Sequence, residues 1–259
     1  AIVSQSQITY DTFDTVSHLM QKLQSNTRLI WLETPSNPMM KVIDIVELCR
    51  QVRRVSPDIV IAVDNTFLTP IFQQPLALGA DIVVHSATKY LGGHNDLLAG
   101  AVIAGNQLLA KQLTDTLITH GQVLDNFSAW LLIRSLKTLH LRMARHNENG
   151  QYLAKKLLNV AGITSVKYAG VGGMISFYLA KGYDVNRFLT RLQLASFAES
   201  LGGPETLITI PAIQTHHDMT IEKREALGIT DQLVRVSAGL ENKLDIFEDI
   251  EQAVVGAKL

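Results

Sequence analysis

Two stretches decide the fold. Val63-Asp64-Asn65-Thr66-Phe67 is followed by His85-Ser86-Ala87-Thr88-Lys89-Tyr90-Leu91-Gly92-Gly93-His94. Each closes an apolar, β-branched run, which predicts strands over 59–63 and 82–84. Continuous runs of that kind belong to strands buried on both faces, as in parallel sheets. The residues between the runs, 69–79, are long enough for a short crossover helix. Asp64 and Lys89 then both fall beyond the C-terminal ends of neighbouring strands, the edge at which open α/β sheets bind ligands.

A lone aspartate after a strand is usually a turn or helix cap, and a lone lysine there is usually solvated. The two together, in that order and with Ser86 and Thr88 beside the lysine, match the needs of pyridoxal phosphate (PLP). That cofactor needs a lysine for its Schiff base and a carboxylate that keeps its pyridine nitrogen protonated. The hydroxyls of Ser86 and Thr88 suit its phosphate.

Working outward, 29–33 predicts a further strand, followed by the proline-stiffened loop Pro35-Ser36-Asn37-Pro38. Residues 43–55 read as an amphipathic helix, 100–104 as a strand and 108–118 as a helix. Strand and helix alternate, which places this half in the α/β class. The helical pattern over 127–158 is too long for one uncapped helix and is expected to leave the large domain near Leu139. Beyond it, strands at 174–179 and 233–236 and helices at 186–192 and 245–254 predict a smaller α+β domain. Phe13, Val16, Leu19, Met20 and Leu23 recur at helical spacing near the start.

Composition excludes several classes. The 259 residues are 47% hydrophobic with a net charge of −1, enough for a large core and without a basic stripe for nucleic acid. No apolar run reaches the ~20 residues of a membrane span. No signal peptide is visible at Ala1, and a single Cys49, on the apolar side of its helix, fits a reducing, cytoplasmic setting. His216-His217-Asp218 is the one stretch suggestive of a metal, but adjacent extended residues point apart, so no metal site is expected.

The motifs together resemble the Cys/Met-metabolism group of fold-type I PLP enzymes. The group holds cystathionine γ-synthases, γ- and β-lyases, methionine γ-lyases and O-acylhomoserine sulfhydrylases. Besides the two stretches above, the resemblance rests on Glu33-Thr34-Pro35-Ser36-Asn37-Pro38, Arg134-Ser135-Leu136-Lys137-Thr138-Leu139, Ala198-Glu199-Ser200-Leu201-Gly202-Gly203 and Leu233-Val234-Arg235-Val236-Ser237-Ala238-Gly239. It implies a PLP-dependent transferase-like fold: a three-layer α/β large domain with a mostly parallel sheet over 1–139, and a small domain over 140–259.

The resemblance also implies roles. Lys89 carries PLP and then moves protons on the substrate. Asp64 faces the pyridinium, Ser86 and Thr88 take the phosphate, and Thr66 lies near the ring. Asn37 lies by the cofactor's 3′-oxygen and the substrate carboxylate. Arg235 grips that carboxylate, an assignment that suits a guanidinium fork; a strand-rim arginine paired on the surface is the alternative. Ser200 assists Arg235. Glu199 and the segment Gln214-Thr215-His216-His217-Asp218 lean toward γ-synthase chemistry, in which an O-acylhomoserine and cysteine give cystathionine. Elimination from cystathionine is the alternative, and a truncated, PLP-free scaffold is the alternative of another class. A homo-oligomer, a dimer of dimers, is implied as well.

Against the family pattern, the N-terminal third is absent. With it go the phosphate-cradling Gly-Met turn and the ring-stacking tyrosine. The Tyr168-Ala169-Gly170-Val171-Gly172-Gly173 segment is shorter than in the family, which suggests an omitted or deleted stretch. Gly92-Gly93 and Gly202-Gly203 read as simple turns.

Overall fold

The computed structural model describes residues 8–259; the expectation for Ala1 lies outside them. Strands β1 (Leu29–Glu33), β2 (Val60–Asp64), β3 (Ile82–Ser86) and β4 (Gly100–Ala104) form one sheet in that spatial order. The first three are parallel and β4 is antiparallel to β3, so the sheet is mostly parallel as the apolar runs predict. Helix α1 (Val16–Lys22) and helix α2 (Ile45–Val55) cover one face. In α2 the buried residues Ile45, Leu48, Cys49 and Val52 recur at helical spacing, and Asp44 caps the first turn through the Glu47 amide. They pack on Ile61 and Val63 of β2, so the other face and the strand ends are left to Asp64. The crossover from β2 to β3 holds only a four-residue helix, α3 (Thr69–Phe72), with the rest in turns.

Helix α4 (Gln107–His120) follows β4. The long helical pattern divides into α5 (Asn126–Leu136) and α6 (Leu139–Leu157), with the break at Lys137 and Thr138. The second sheet has the order β5 (Ile163–Tyr168), β6 (Met174–Leu179), β9 (Leu233–Ser237), β8 (Leu207–Thr209), β7 (Ser196–Phe197). Helices α6, α7 (Val185–Arg191) and α9 (Lys243–Gly256) bury one face of it, around Leu153, Leu157, Phe177, Phe188, Val234, Ile246 and Ile250. A short α8 (Ile221–Ala226) lies between β8 and β9. The sequence reading did not include β5, β7, β8 and α8. A strand of three residues is too short to show a period.

The shortened 169–173 segment closes the β5–β6 hairpin, with Tyr168 paired to Ile175 across it. Its Gly172 amide donates to Asn147 Oδ1 at 2.9 Å and its carbonyl accepts from Tyr168 Oη at 3.0 Å.

A third apolar cluster joins the halves: Met40, Phe67, Tyr90, Leu139, Met143, Met174 and Leu201. Gly202 lies against it and is more than a turn. Its φ is +77°, and a Cβ there would sit 2.7 Å from the Tyr90 amide nitrogen. Its own amide donates to Ser237 Oγ at 2.9 Å. Gly202→Ala is therefore expected to destabilise the protein by about 1–3 kcal/mol from crowding, with a further penalty for the left-handed backbone. Urea unfolding checks this, and an unchanged midpoint would mean that the Tyr90 turn can yield.

Candidate active site

The parallel register aligns Glu33 with Asp64 and Asp64 with Val84, so the C-terminal ends of β1, β2 and β3 form one edge. Asp64 is the last residue of β2 and Ser86 the last of β3, and the next turn carries Lys89. Asp64 is half-buried. Its Oδ1 accepts from the Thr66 amide at 3.0 Å and from Thr66 Oγ1 at 2.6 Å. Thr66 Oγ1 in turn accepts from the Ser86 amide at 2.8 Å. Thr66 thus ties the two strand ends together and leaves Asp64 Oδ2 without a partner among the described residues. A carboxylate with one oxygen anchored and one open is the acceptor that a protonated ring nitrogen requires.

Lys89 is half-buried. Burial, and then the positive charge of Arg235, hold its amine below the ordinary lysine range. Ser86 has a hydroxyl with no bonded partner among the described residues. Thr88 Oγ1, in contrast, accepts from the Ala99 amide at 3.0 Å and donates to the Ala99 carbonyl at 3.3 Å, which fastens the Lys89 turn to the approach to β4.

Arg235 comes from the second sheet. Its neighbours Val234 and Val236 enter the helical core, so alternation turns Arg235 to the opposite face, toward the first half. It is 1% exposed, which overturns the reading of a surface-paired strand-rim arginine. Its Nη2 donates to the carbonyl of Glu199 and to Thr209 Oγ1 at 3.0 Å, with the Ser200 carbonyl at 3.4 Å. Its Nη1 donates to Asn37 Oδ1 at 3.1 Å, and its buried Nε has no partner. No carboxylate pairs with it among the described residues. Burial pushes its pKa down to about 10, so it stays charged at neutral pH. A buried cation with an idle N–H and no carboxylate in contact is a site for an anionic ligand group. Glu199 and Ser200 meet it through backbone carbonyls.

Asn37 is placed by Glu33, whose Oε1 accepts from the Asn37 amide at 3.0 Å. Burial, and then the charge of Asp64, push the Glu33 carboxyl up to about 7. The sequence reading quoted Glu33 within a landmark but gave it no role. His85 was likewise passed over: it is buried, its Nδ1 has no partner, and burial lowers its pKa. A histidine inside an otherwise apolar strand was the available signal.

The structure therefore brings Asp64, Thr66, Ser86 and Lys89 to one strand edge, and Asn37 and Arg235 together from the two halves. An amine, an open carboxylate oxygen, a free hydroxyl and an uncompensated buried guanidinium fit PLP and an amino-acid carboxylate. Among the described residues no cluster of metal-ligating side chains occurs, and no helix is long and apolar enough to cross a membrane.

Comparison with known proteins adds the following. The family model "Cys/Met metabolism PLP-dependent enzyme" matches residues 1–255. A Bacillus subtilis protein, cystathionine gamma-synthase/O-acetylhomoserine (thiol)-lyase, is 47% identical over 249 residues, 96% of this chain and 66% of that protein. Cystathionine gamma-synthase of Haemophilus influenzae is 46% identical over 236 residues, 91% of this chain and 63% of that protein. The crystal structure of cystathionine gamma-lyase from Lactobacillus plantarum complexed with L-serine superposes with a TM-score of 0.95 at 33% identity, covering 99% of this chain and 71% of that one. The chain spans about two thirds of the length of the curated relatives it matches.

Proposed function

The chain belongs to the family of Cys/Met metabolism PLP-dependent enzymes, and on that premise we propose that its protein is a transsulfuration enzyme of the cystathionine γ-synthase type. The observation that carries this reading is the meeting of Lys89 and Asp64, on adjacent parallel strand ends, with a buried Arg235 that lacks a carboxylate partner. Cystathionine γ-synthases at 46–47% identity support γ-replacement over elimination. The likeness to cystathionine γ-lyases, 42% identical in Bacillus subtilis, favours γ-elimination as the second reading.

In this proposal Lys89 Nζ holds the cofactor, Asp64 Oδ2 its ring nitrogen, and Ser86, with Thr88 beside it, its phosphate. Thr66 keeps Asp64 oriented. When bound, PLP supplies the electron sink for charge that develops on substrate carbons. Arg235 binds the substrate carboxylate, Asn37 orients it and Ser200 lines the same end. Once released, the Lys89 amine takes and returns protons on the substrate carbons; its lowered pKa increases the fraction available as free base at neutral pH. In γ-replacement the Cγ–O bond of an O-acylhomoserine breaks, the carboxylic acid leaves and a cysteine thiol forms the Cγ–S bond. Glu199 belongs to the substrate end by its place next to Ser200.

We assign residues 1–139 to the large domain and 140–259 to the small one, with the cofactor site on the first and the carboxylate site on the second. A homo-oligomer is part of the same proposal. The test is to supply the full-length protein with an O-acylhomoserine, with and without cysteine, and separately with cystathionine. Cystathionine formation that depends on cysteine, and faster than release of 2-oxobutanoate from cystathionine, is the expected result. Oxo-acid and ammonia from cystathionine as the faster reaction would replace the first reading by the second.

A further inference from the structure

Helix α6 reaches back to the Lys89 turn. Its Arg142 is 5% exposed and has no acidic partner among the described residues. It donates from Nη1 to the Tyr90 carbonyl at 2.6 Å, and from Nη2 to the Ser135 carbonyl at 2.9 Å and the Leu91 carbonyl at 3.4 Å. Its Nε donates to Thr138 Oγ1 at 3.1 Å. A buried charge is costly without an opposite charge, and here it is met only by neutral acceptors, two of them the carbonyls that directly follow Lys89.

The turn itself is closed by its own amides, Lys89 to Ser86 at 3.1 Å, Gly92 to Ala87 at 2.8 Å and Gly93 to Lys89 at 2.7 Å. Among the described residues no backbone amide reaches the Tyr90 and Leu91 carbonyls. The guanidinium fork supplies that missing attachment. Room for it is kept by Gly93, where a Cβ would lie 1.9 Å from Arg142 Nη1. One turn along α6, the His146 ring meets the Tyr90 ring edge-on with centroids 5.0 Å apart. Its Nδ1–H donates to the Ala238 carbonyl at 2.7 Å, three residues past Arg235. One face of α6 therefore fastens both the lysine turn and the end of the arginine strand.

We propose that Arg142 is a positioning residue for Lys89, holding the turn through the carbonyls of residues 90 and 91 so that the lysine amine is fixed at the strand edge. This rests on the reading of Lys89 as the PLP lysine. Misplacing a reacting group by about 1 Å is enough to cost roughly 10²-fold, so a rigid turn has a function beyond folding.

The test compares wild type, Arg142→Gln, Arg142→Lys and Thr138→Val in the full-length protein. Melting of the PLP-free form, the PLP dissociation constant, and the share of borohydride-trapped PLP on Lys89 are measured for each. In Arg142→Gln, PLP affinity is expected to fall about tenfold, the worth of a charged hydrogen bond, with label spreading to other lysines. The PLP-free melting temperature is expected to hold, because a desolvated charge has been removed. Arg142→Lys should recover part of the affinity, and Thr138→Val should show a smaller loss in the same direction. Wild-type affinity and Lys89 selectivity in Arg142→Gln, or in Thr138→Val if the former does not fold, overturn the inference. Failure of the wild type itself to trap PLP on Lys89 overturns the functional reading beneath it, which is a different result.

Discussion

Replacement of Lys89 by alanine is expected to abolish turnover while leaving the fold in place. The loss follows from two roles of one amine. In the proposed mechanism it holds the cofactor and carries protons between substrate carbons. Removing a positioned acid–base group alone lowers rates by about 10²–10⁴-fold, and here the covalent attachment goes with it. The fold should survive because the Lys89 side chain is only half-buried and makes no hydrogen bond among the described residues. Burial and Arg235 both disfavour its charged form, so alanine relieves a strained ammonium. Lys89→Arg should not restore activity, since a guanidinium does not give up its proton. The measurements are cystathionine formation, peptide mapping of the borohydride adduct, and thermal melting. A Lys89→Ala protein with turnover within tenfold of wild type would sink the assignment.

The placement of Asp64 and Lys89 was legible because the first ends a continuous apolar strand and the second lies in the turn just after another, and strand ends fix position without knowledge of distant contacts. Alternation along β9 also predicted that Arg235 faces away from Val234 and Val236. Its depth was not legible, because that depends on β6, β8 and the 34–38 loop closing over it. The Asn37–Arg235 bond spans 198 residues of sequence, and no local pattern encodes it. Arg142 and Glu33 escaped notice for a related reason: both act on backbone groups, which every residue has, so their partners leave no mark in the sequence. Gly202 was read as a turn because glycine most often marks one; the approach of the Tyr90 amide is a tertiary fact. Thr88 shows the converse, a residue legible from its motif whose hydroxyl is engaged by Ala99.

Arg235→Lys is expected to raise KM for the amino-acid substrate by about 100-fold or more, while PLP loading on Lys89 is retained. Charge is conserved in this change, so any loss reports geometry. The guanidinium donates at once to the Glu199 carbonyl, Thr209 Oγ1 and Asn37 Oδ1, and still has Nε idle. An ammonium has three donors at one point and cannot hold those acceptors and a bidentate carboxylate together. Breaking a buried ionic contact costs about 3–5 kcal/mol, which corresponds to a factor of 10² or more in affinity. The same burial that pushes Arg235 down to about 10 acts more strongly on a lysine, which starts lower and sheds its proton more readily. The variant should therefore lose part of its remaining affinity as pH rises toward neutrality, while wild type does not. Steady-state kinetics from pH 6 to 9 separate the outcomes. A raised KM that worsens with pH, with kcat falling less, places the substrate carboxylate on Arg235. An unchanged KM with lowered stability would mean that Arg235 serves only to tie β9 to the 34–38 loop, and the carboxylate site would have to be sought elsewhere.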